Sequence, residues 1–501
     1  QTQTVRKYAV VLTFLLVVSG CGGSSDSAAP AATTTTAAPT TTVATTTTAA
    51  PTTTAAPATT ATASPTATAA PTSTGAPTTT AAPTTTVAPT TAVTPTTTAA
   101  PTTTAAPITA PPVLTFESSQ EFGSFSAELQ SAFKAVVDEE FAAAQEKAGI
   151  SIAVFSGGLL WRYALGEASS TTNMTTSTPM PIGSTSKTFV SALVLTQIAE
   201  GLYELTDSLE QVLSGHPAYE SFDKTRINPD VTVEEMLAMR SGLADFNDNR
   251  EGTRGFFSNA TWEPADNVNL VQSSFVEAGA FDYNDTNLVL LGLVAEFHGS
   301  GNLNNLYSQV FFEPLGIAAV LPPQDVVPSD TALPYGDLVP NAEGFGNIID
   351  AAPYDFDYYW FGQGRVRWPC CGLITTAENL ARWGYELYSS NGAAVPESAR
   401  MKLFDALLTD PVLYQGLMQN YGYFTTQRTY VLPSSATVTT VGHPGAGGGY
   451  STLLRYSPEL DLVVVVLANS LLQVAGTCGS IEGQRGVRHC LAARIFTAYT
   501  E

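Results

Sequence analysis

Ser184 and Lys187 stand three positions apart in Pro181-Ile182-Gly183-Ser184-Thr185-Ser186-Lys187-Thr188-Phe189. On the first turn of a helix this spacing puts both side chains on one face, within reach of each other. A serine hydroxyl is a weak nucleophile until a neighbour takes its proton, and a lysine desolvated by apolar residues can do so. Phe189, Val190, Leu193, Val194 and Ile198 follow with the spacing of a buried helix, closed by Gly201. Ser-x-x-Lys alone is a weak signal, so its weight rests on what lies downstream. Two stretches qualify there. Tyr283-Asn284-Asp285 sits on a loop ahead of the apolar run 288–297, with Asp285 as the expected N-cap, and His443-Pro444-Gly445 opens a Gly-rich strand edge.

The elements that must position these residues follow from periodicity. Residues 126–147 read as a helix with Ser126 as N-cap, and 150–155 with 159–165 as a hairpin around Ser156-Gly157-Gly158. Short helices are expected at 231–239 and 373–387, strands at 437–441, 450–456 and 462–468, and a closing helix at 488–499. The unbroken valines of 462–468 imply burial on both faces. Terminal helices would then cover one face of a mainly antiparallel sheet. Residues 318–369, rich in Pro, Asp and aromatics, carry no assignment.

Composition divides the 501 residues unequally. Arg6 and Lys7 precede the apolar run 9–18, which ends in Val18-Ser19-Gly20-Cys21 and is too short to span a bilayer. This is the pattern of a secretory signal over residues 1–20. The cysteine after Ser19-Gly20 resembles a bacterial lipoprotein lipobox, which implies cleavage before Cys21 and lipidation of its thiol; an ordinary signal peptide with an incidental cysteine is the alternative. Residues 21–112 become almost wholly Thr, Ala and Pro from 28 onward. Such a stretch buries too little apolar surface to offset its ordering entropy, and as a polyproline-like tether of about 85 residues it would reach roughly 260 Å. Its threonines suit O-glycosylation.

Residues 113–501 carry nearly all of the 44 acidic residues against 21 Lys plus Arg in the chain. That balance argues against nucleic acid and against anionic headgroups, leaving a lipid anchor as the expected membrane contact. Besides Cys21 there are Cys370, Cys371, Cys478 and Cys490. A Cys478–Cys490 bridge closing a short loop is the favoured pairing, with Cys370 and Cys371 as thiols, a strained vicinal bridge, or partners in another connectivity. His216, His298, His443 and His489 show no ligand spacing with these cysteines, so no metal or other cofactor is expected.

In order, Ser184-x-x-Lys187, Tyr283-Asn284-Asp285 and His443-Pro444-Gly445 resemble the signature of the serine β-lactamase and penicillin-binding protein superfamily. Val231-Thr232-Val233-Glu234-Glu235-Met236-Leu237, Ser241-Gly242-Leu243, Glu313-Pro314-Leu315-Gly316 and Gly372-Leu373-Ile374-Thr375-Thr376 support it. The tyrosine and histidine point to the class C β-lactamase and D-alanyl-D-alanine carboxypeptidase branch, which includes esterases and D-amino-acid peptidases. The resemblance implies an α+β fold: a mainly antiparallel sheet flanked by helices, with an all-helical lobe. It also implies an acyl-enzyme on Ser184, proton transfers by Lys187 and Tyr283 with His443 beside Tyr283, and an oxyanion site formed by the N–H groups of Ser184 and Ala446 beside Gly445.

Two departures bear on substrate. Asp285 stands where an asparagine is usual and should hold Lys187 charged, which favours Tyr283, as a phenolate, for the base. Pro444 replaces a threonine whose hydroxyl helps to bind a substrate carboxylate in relatives. Cys371 stands for a glycine and Met239-Arg240 for His-Thr, without a functional account. The expectation is a monomeric, extracytoplasmic serine hydrolase acting on an ester, or on a small molecule or peptide containing D-residues. A non-catalytic receptor for cell-wall peptide on the same fold is the alternative. An α/β-hydrolase is disfavoured because no Gly-x-Ser-x-Gly elbow occurs.

Overall fold

The valine run at 462–468 sets the architecture, because a strand apolar on both sides must be covered on both sides. The computed structural model describes residues 116 and 120–501, apart from 144–147, 170, 257–260, 335–337, 342–343, 348–363 and 471–486. The signal-like segment, Cys21, the linker 21–112 and Cys478 lie outside the described residues.

The main elements are α1 (Ala127–Ala143), β1 (Ile150–Ser156), β2 (Leu159–Leu165), α2 (Lys187–Ala199), α3 (Thr286–Gly299) and α4 (Ala377–Tyr388). They continue with β3 (Val412–Tyr414), β4 (Leu417–Gly422), β5 (Thr425–Val431), β6 (Thr437–Gly442), β7 (Pro444–Gly447), β8 (Tyr450–Ser457), β9 (Leu462–Ala468) and α5 (Val487–Thr500). Among the described residues these nine strands form one sheet in the order β3-β4-β5-β6-β8-β9-β1-β2, with β7 paired to β8. Every pairing is antiparallel.

Period-two alternation splits the interior into two layers. Ile150, Ile152, Val154, Val464 and Val466 face one side, where Phe133 and Val137 of α1 and Leu491 and Ile495 of α5 cover them. Ala153, Phe155, Val463, Val465 and Leu467 face the other, under α4. The expected covering of one sheet face by the terminal helices is thus the observed arrangement. On the second layer α2 lies on α4, with the Phe189 and Trp383 rings stacked at 3.8 Å and 9°, and α2 packs against α3. Lys187 to Gln197 of α2 and Thr286 to Ala295 of α3 are buried without interruption. Helices apolar on all sides belong inside a fold, and these two carry the candidate chemistry at their first turns.

Three expectations are corrected. The segment 373–387 is helical only from Ala377, because the Thr376 side chain accepts from Asn379 N and caps there. Ile374–Thr375 instead forms a small sheet with Met180–Pro181 and Ala319–Val320. The helix expected at 231–239 contracts to Val233–Leu237, bounded by the Thr232–Glu235 capping box. Asp285 occupies the N-cap of α3, but its side chain makes no capping bond; Asn284 Oδ1 accepts from Asn287 N at 3.3 Å instead.

Phe189→Ala should lower the unfolding free energy by about 3–5 kcal/mol, because the ring it removes fills a stack that cannot collapse. Urea denaturation measures this, and a loss below about 1 kcal/mol would show that α2 is held by other contacts.

Candidate active site

Every side chain of the Ser184–Lys187 turn is engaged. Gly183–Ser186 is a single 3-10 turn feeding directly into α2. Thr185 Oγ1 donates to His443 O at 3.1 Å, and Ser186 Oγ accepts from Leu373 N at 3.2 Å. These two bonds tie the turn to the start of β7 and to the small sheet. Gly183 has φ of 53°, and a Cβ there would stand 2.9 Å from Ala446 N. A Cβ on Gly445 would stand 2.1 Å from Ile182 O. Both positions require glycine because turn and strand touch backbone to backbone. Behind the strand, half-buried Arg488 donates to Gly445 O, and at 3.1 Å to Thr452 O, bridging the paired residues of β7 and β8.

Lys187 Nζ is fully buried and lies 2.8 Å from Asp285 Oδ1, itself 1% exposed. It also reaches Ser184 Oγ at 3.4 Å, Cys370 O at 3.4 Å and Cys371 Sγ at 3.3 Å. The other Asp285 oxygen accepts from Asn247 Nδ2 at 3.0 Å, and that amide donates to Asp245 Oδ1 as well, at 3.1 Å. Asp245 Oδ2 accepts from Asp285 N at 3.3 Å. Burial, reinforced by the negative charge of Asp285, pushes the Asp245 carboxyl up to about 7. Asp245 and Asn247 extend the ion pair and were not singled out by sequence; nothing in their spacing marks residues that reach Asp285 across 38 and 40 positions.

Tyr283 lies over this pair, its ring centroid 5.1 Å from Lys187 Nζ. Its hydroxyl stands beside Ser184 and Tyr414 without a hydrogen bond among the described residues. The ring is enclosed by Tyr414 at 5.0 Å, Tyr421 at 6.0 Å and His443 at 6.3 Å. Burial, then Tyr414, Tyr421 and Asp285, push the phenol well above its ordinary range. This corrects the expectation of a Tyr283 phenolate: the resting site holds a neutral phenol. His443 Nδ1 donates to Pro444 O at 2.6 Å, so Nε2 accepts from the Tyr421 hydroxyl at 3.2 Å. Burial and the Lys187 charge push its imidazole well below the usual range, keeping it neutral. His443 therefore stacks beside Tyr283, and its hydrogen bonds run to Tyr421 and Pro444.

Cys371 Sγ lies 3.7 Å from Ser184 Oγ and 2.7 Å from Cys370 Sγ. Asp285, Cys370 and Cys371 bring their ligand atoms within 4.8 Å of one another. Lys187 Nζ already contacts both Asp285 and Cys371, so a cation there would meet a positive charge. Cys490 is buried on α5, and its expected partner Cys478 lies outside the described residues. Met239 accepts from Asn287 Nδ2 at 3.4 Å and Arg240 Nη1 donates to Gly279 O at 2.7 Å, which makes both structural.

A family model described as beta-lactamase matches residues 133–477, more than half of the chain. Among solved structures, D-amino acid amidase from Ochrobactrum anthropi SV3 complexed with L-phenylalanine is similar with a TM-score of 0.57 at 17% identity, covering 75% of this chain and 99% of that one. The octameric penicillin-binding protein homologue from Pyrococcus abyssi gives 0.52 at 21% identity, covering 68% and 73%. The D-stereospecific amidohydrolase from Streptomyces sp. gives 0.50 at 20% identity, covering 69% and 94%. At these identities the likeness is one of fold.

The raised Asp245 carboxyl has a definite sign in stability. Between about pH 4 and about pH 7 the folded protein binds the extra proton, so stability from this group falls as pH rises through that window. Asp245→Asn keeps the neutral shape and removes the titration. The melting temperature of the variant minus that of the parent should rise from about pH 5 to about pH 8 by about 2 °C, the shift that about 2 kcal/mol makes in a domain of this size. A difference that stays constant with pH would place the Asp245 titration elsewhere.

Proposed function

The chain belongs to the beta-lactamase family, and we propose that it is a serine hydrolase that acylates Ser184 with an amide or ester of a D-residue-containing substrate. The observation that carries this reading is the buried constellation of Ser184, Lys187, Asp285 and Tyr283, in which an unbonded phenol oxygen stands beside the serine. A buried polar atom left without a partner is costly, and a reacting group of the substrate would supply one. The names of the amidase and amidohydrolase neighbours support the D-residue preference. The lipobox-like Val18-Ser19-Gly20-Cys21 supports a lipid-anchored location outside the cytoplasm.

The ion pair decides the roles. Lys187 gives a hydrogen to Asp285, so its lone pair is not offered to Ser184, and its positive charge serves the transition state electrostatically. Tyr283 then acts as a relay: as Ser184 Oγ bonds to the carbonyl carbon, its proton passes to the phenol oxygen while the phenol proton passes to the departing nitrogen or oxygen. No phenolate accumulates, which agrees with the raised phenol. The carbonyl oxygen takes up negative charge against the N–H groups of Ser184 and Ala446. Water reverses the relay and releases the acid. His443, neutral and anchored by Tyr421, holds the Tyr283 ring in place.

A fluorophosphonate probe should label the parent protein and leave a folded Ser184→Ala variant unlabelled; labelling of that variant overturns the assignment. On a fluorogenic ester the parent should turn over many times, and a single stoichiometric burst would favour the receptor alternative. Tyr283→Phe should lower kcat by about a hundred- to ten-thousand-fold. A relay through a neutral phenol further predicts no Tyr283 ionisation in the pH–rate profile between about pH 7 and about pH 9. A rise with pH there that disappears in Tyr283→Phe would restore the phenolate base.

A further inference from the structure

Arg367 is half-buried and ends the helical turn 364–367. Its carbonyl accepts from Cys371 N at 2.8 Å, and Cys371 in turn brings its sulfur 3.7 Å from Ser184 Oγ. Arg367 is thus joined to the Ser184 wall through one short loop. Its guanidinium reaches the opposite wall. A Cβ built on Gly447 would stand 2.8 Å from Nη1, 3.2 Å from Nη2 and 3.4 Å from Cζ. The whole guanidinium plane therefore lies against a residue that has no side chain, in a backbone conformation (φ of 138°) that disfavours one.

The position along β7 gives this contact a direction. His443 stacks on Tyr283 just before the strand begins, and Gly447 ends it, one residue beyond Ala446. At about 3.3 Å per residue the two ends are about 13 Å apart. A leaving group that takes its proton from Tyr283 must depart toward the His443 end, so the acyl half of a substrate runs from Ser184 toward Gly447 and Arg367. At the leaving-group end, Pro444 offers neither a hydroxyl nor an N–H.

We infer that Arg367 is a specificity residue for the acyl half of the substrate and selects an acyl group that carries a carboxylate. The inference rests on the acyl-enzyme reading for its direction. A guanidinium carries five donors in a planar fork whose geometry matches a carboxylate, so a substrate carboxylate at the Gly447 end would meet a bidentate partner. The same charge disfavours an acyl half with a free α-ammonium group. The substrate class is then an N-acylated D-amino-acid amide or ester with an acidic acyl portion.

The test uses the full chain carrying Ser184→Ala, so that binding is read apart from turnover. Calorimetric titration compares N-succinyl-D-phenylalanine p-nitroanilide with its N-acetyl counterpart, which lacks the terminal CH2–COO⁻ of the acyl group. The succinyl ligand should bind roughly ten- to a hundredfold more tightly, the range of a hydrogen-bonded charged group. In Ser184→Ala/Arg367→Gln, with folding checked by circular dichroism, that ratio should fall to within about twofold; Arg367→Lys, a point charge without the fork, should keep part of it. Equal binding of the two ligands, a preference that survives Arg367→Gln, or no detectable binding of either overturns the inference. Turnover of the acetyl anilide by the parent protein tests the hydrolase reading separately. Turnover without a succinyl preference would leave that reading standing while the Arg367 role falls, and a preference in binding without any turnover would do the reverse.

Discussion

The site depends on one interaction, the ion pair of Lys187 and Asp285 inside the protein. Removing two charges from water costs more than their bare attraction returns unless hydrogen bonds satisfy what is left. Here Asn247 takes the second carboxylate oxygen, the Cys370 carbonyl and the Ser184 hydroxyl take the ammonium, and the start of α3 places the carboxylate where a helix favours negative charge. Neighbouring groups adjust to this pair. Asp245 takes up protons at higher pH than usual, Tyr283 stays a phenol and His443 stays an uncharged imidazole.

Position follows from charge. Since α2 and α3 meet at their first turns through the pair, the nucleophile is fixed relative to the phenol by the same contact that neutralises the interior. Thr185 and Ser186, chemically silent, bind the turn to β7 and to the small sheet. Arg488 braces β7 from behind, and burial lowers its guanidinium to about 10 while two backbone carbonyls take its hydrogens. A cavity of about 530 Å³ lined by Thr232, Glu234, Arg240, Lys402, Tyr421 and Tyr423 has neither Ser184 nor Lys187 in its lining.

Much of this was legible in the chain. Ser184, Lys187, Tyr283 and Asp285 carry local signatures, each at the start of a strongly apolar segment, so type and spacing sufficed to bring them together. The strand 462–468 and the terminal helices were equally plain, because burial on both faces leaves an unbroken apolar run. The rest has no local pattern. Asp245, Asn247 and Arg367 enter the site from loops and short turns whose course is set by tertiary contact, and Cys371 shows as an oddity until its sulfur is found beside Ser184. Asp285 stands at the expected N-cap of α3, but a carboxylate that ordinarily takes the free N–H groups there has a stronger partner in Lys187. The protonation of Tyr283 has no local signature for a related reason, since two tyrosines distant in sequence help to enclose it.

The pairing of β1 with β9 has a consequence for the life of the chain. Ile150 meets Ala468, so the centre of the sheet joins the first of its described strands to the last. Contacts of such long sequence separation form slowly, because the entropy of closing the intervening loop is spent before they are made. During synthesis the helices bearing Ser184 and Asp285 leave the ribosome long before the strand that supports them. Until residues 462–468 have emerged, β1 lacks its central partner in the sheet and α4 lacks the second strand it packs on, so apolar surface stays exposed. The interval before that strand emerges is when the protein is most open to misassociation.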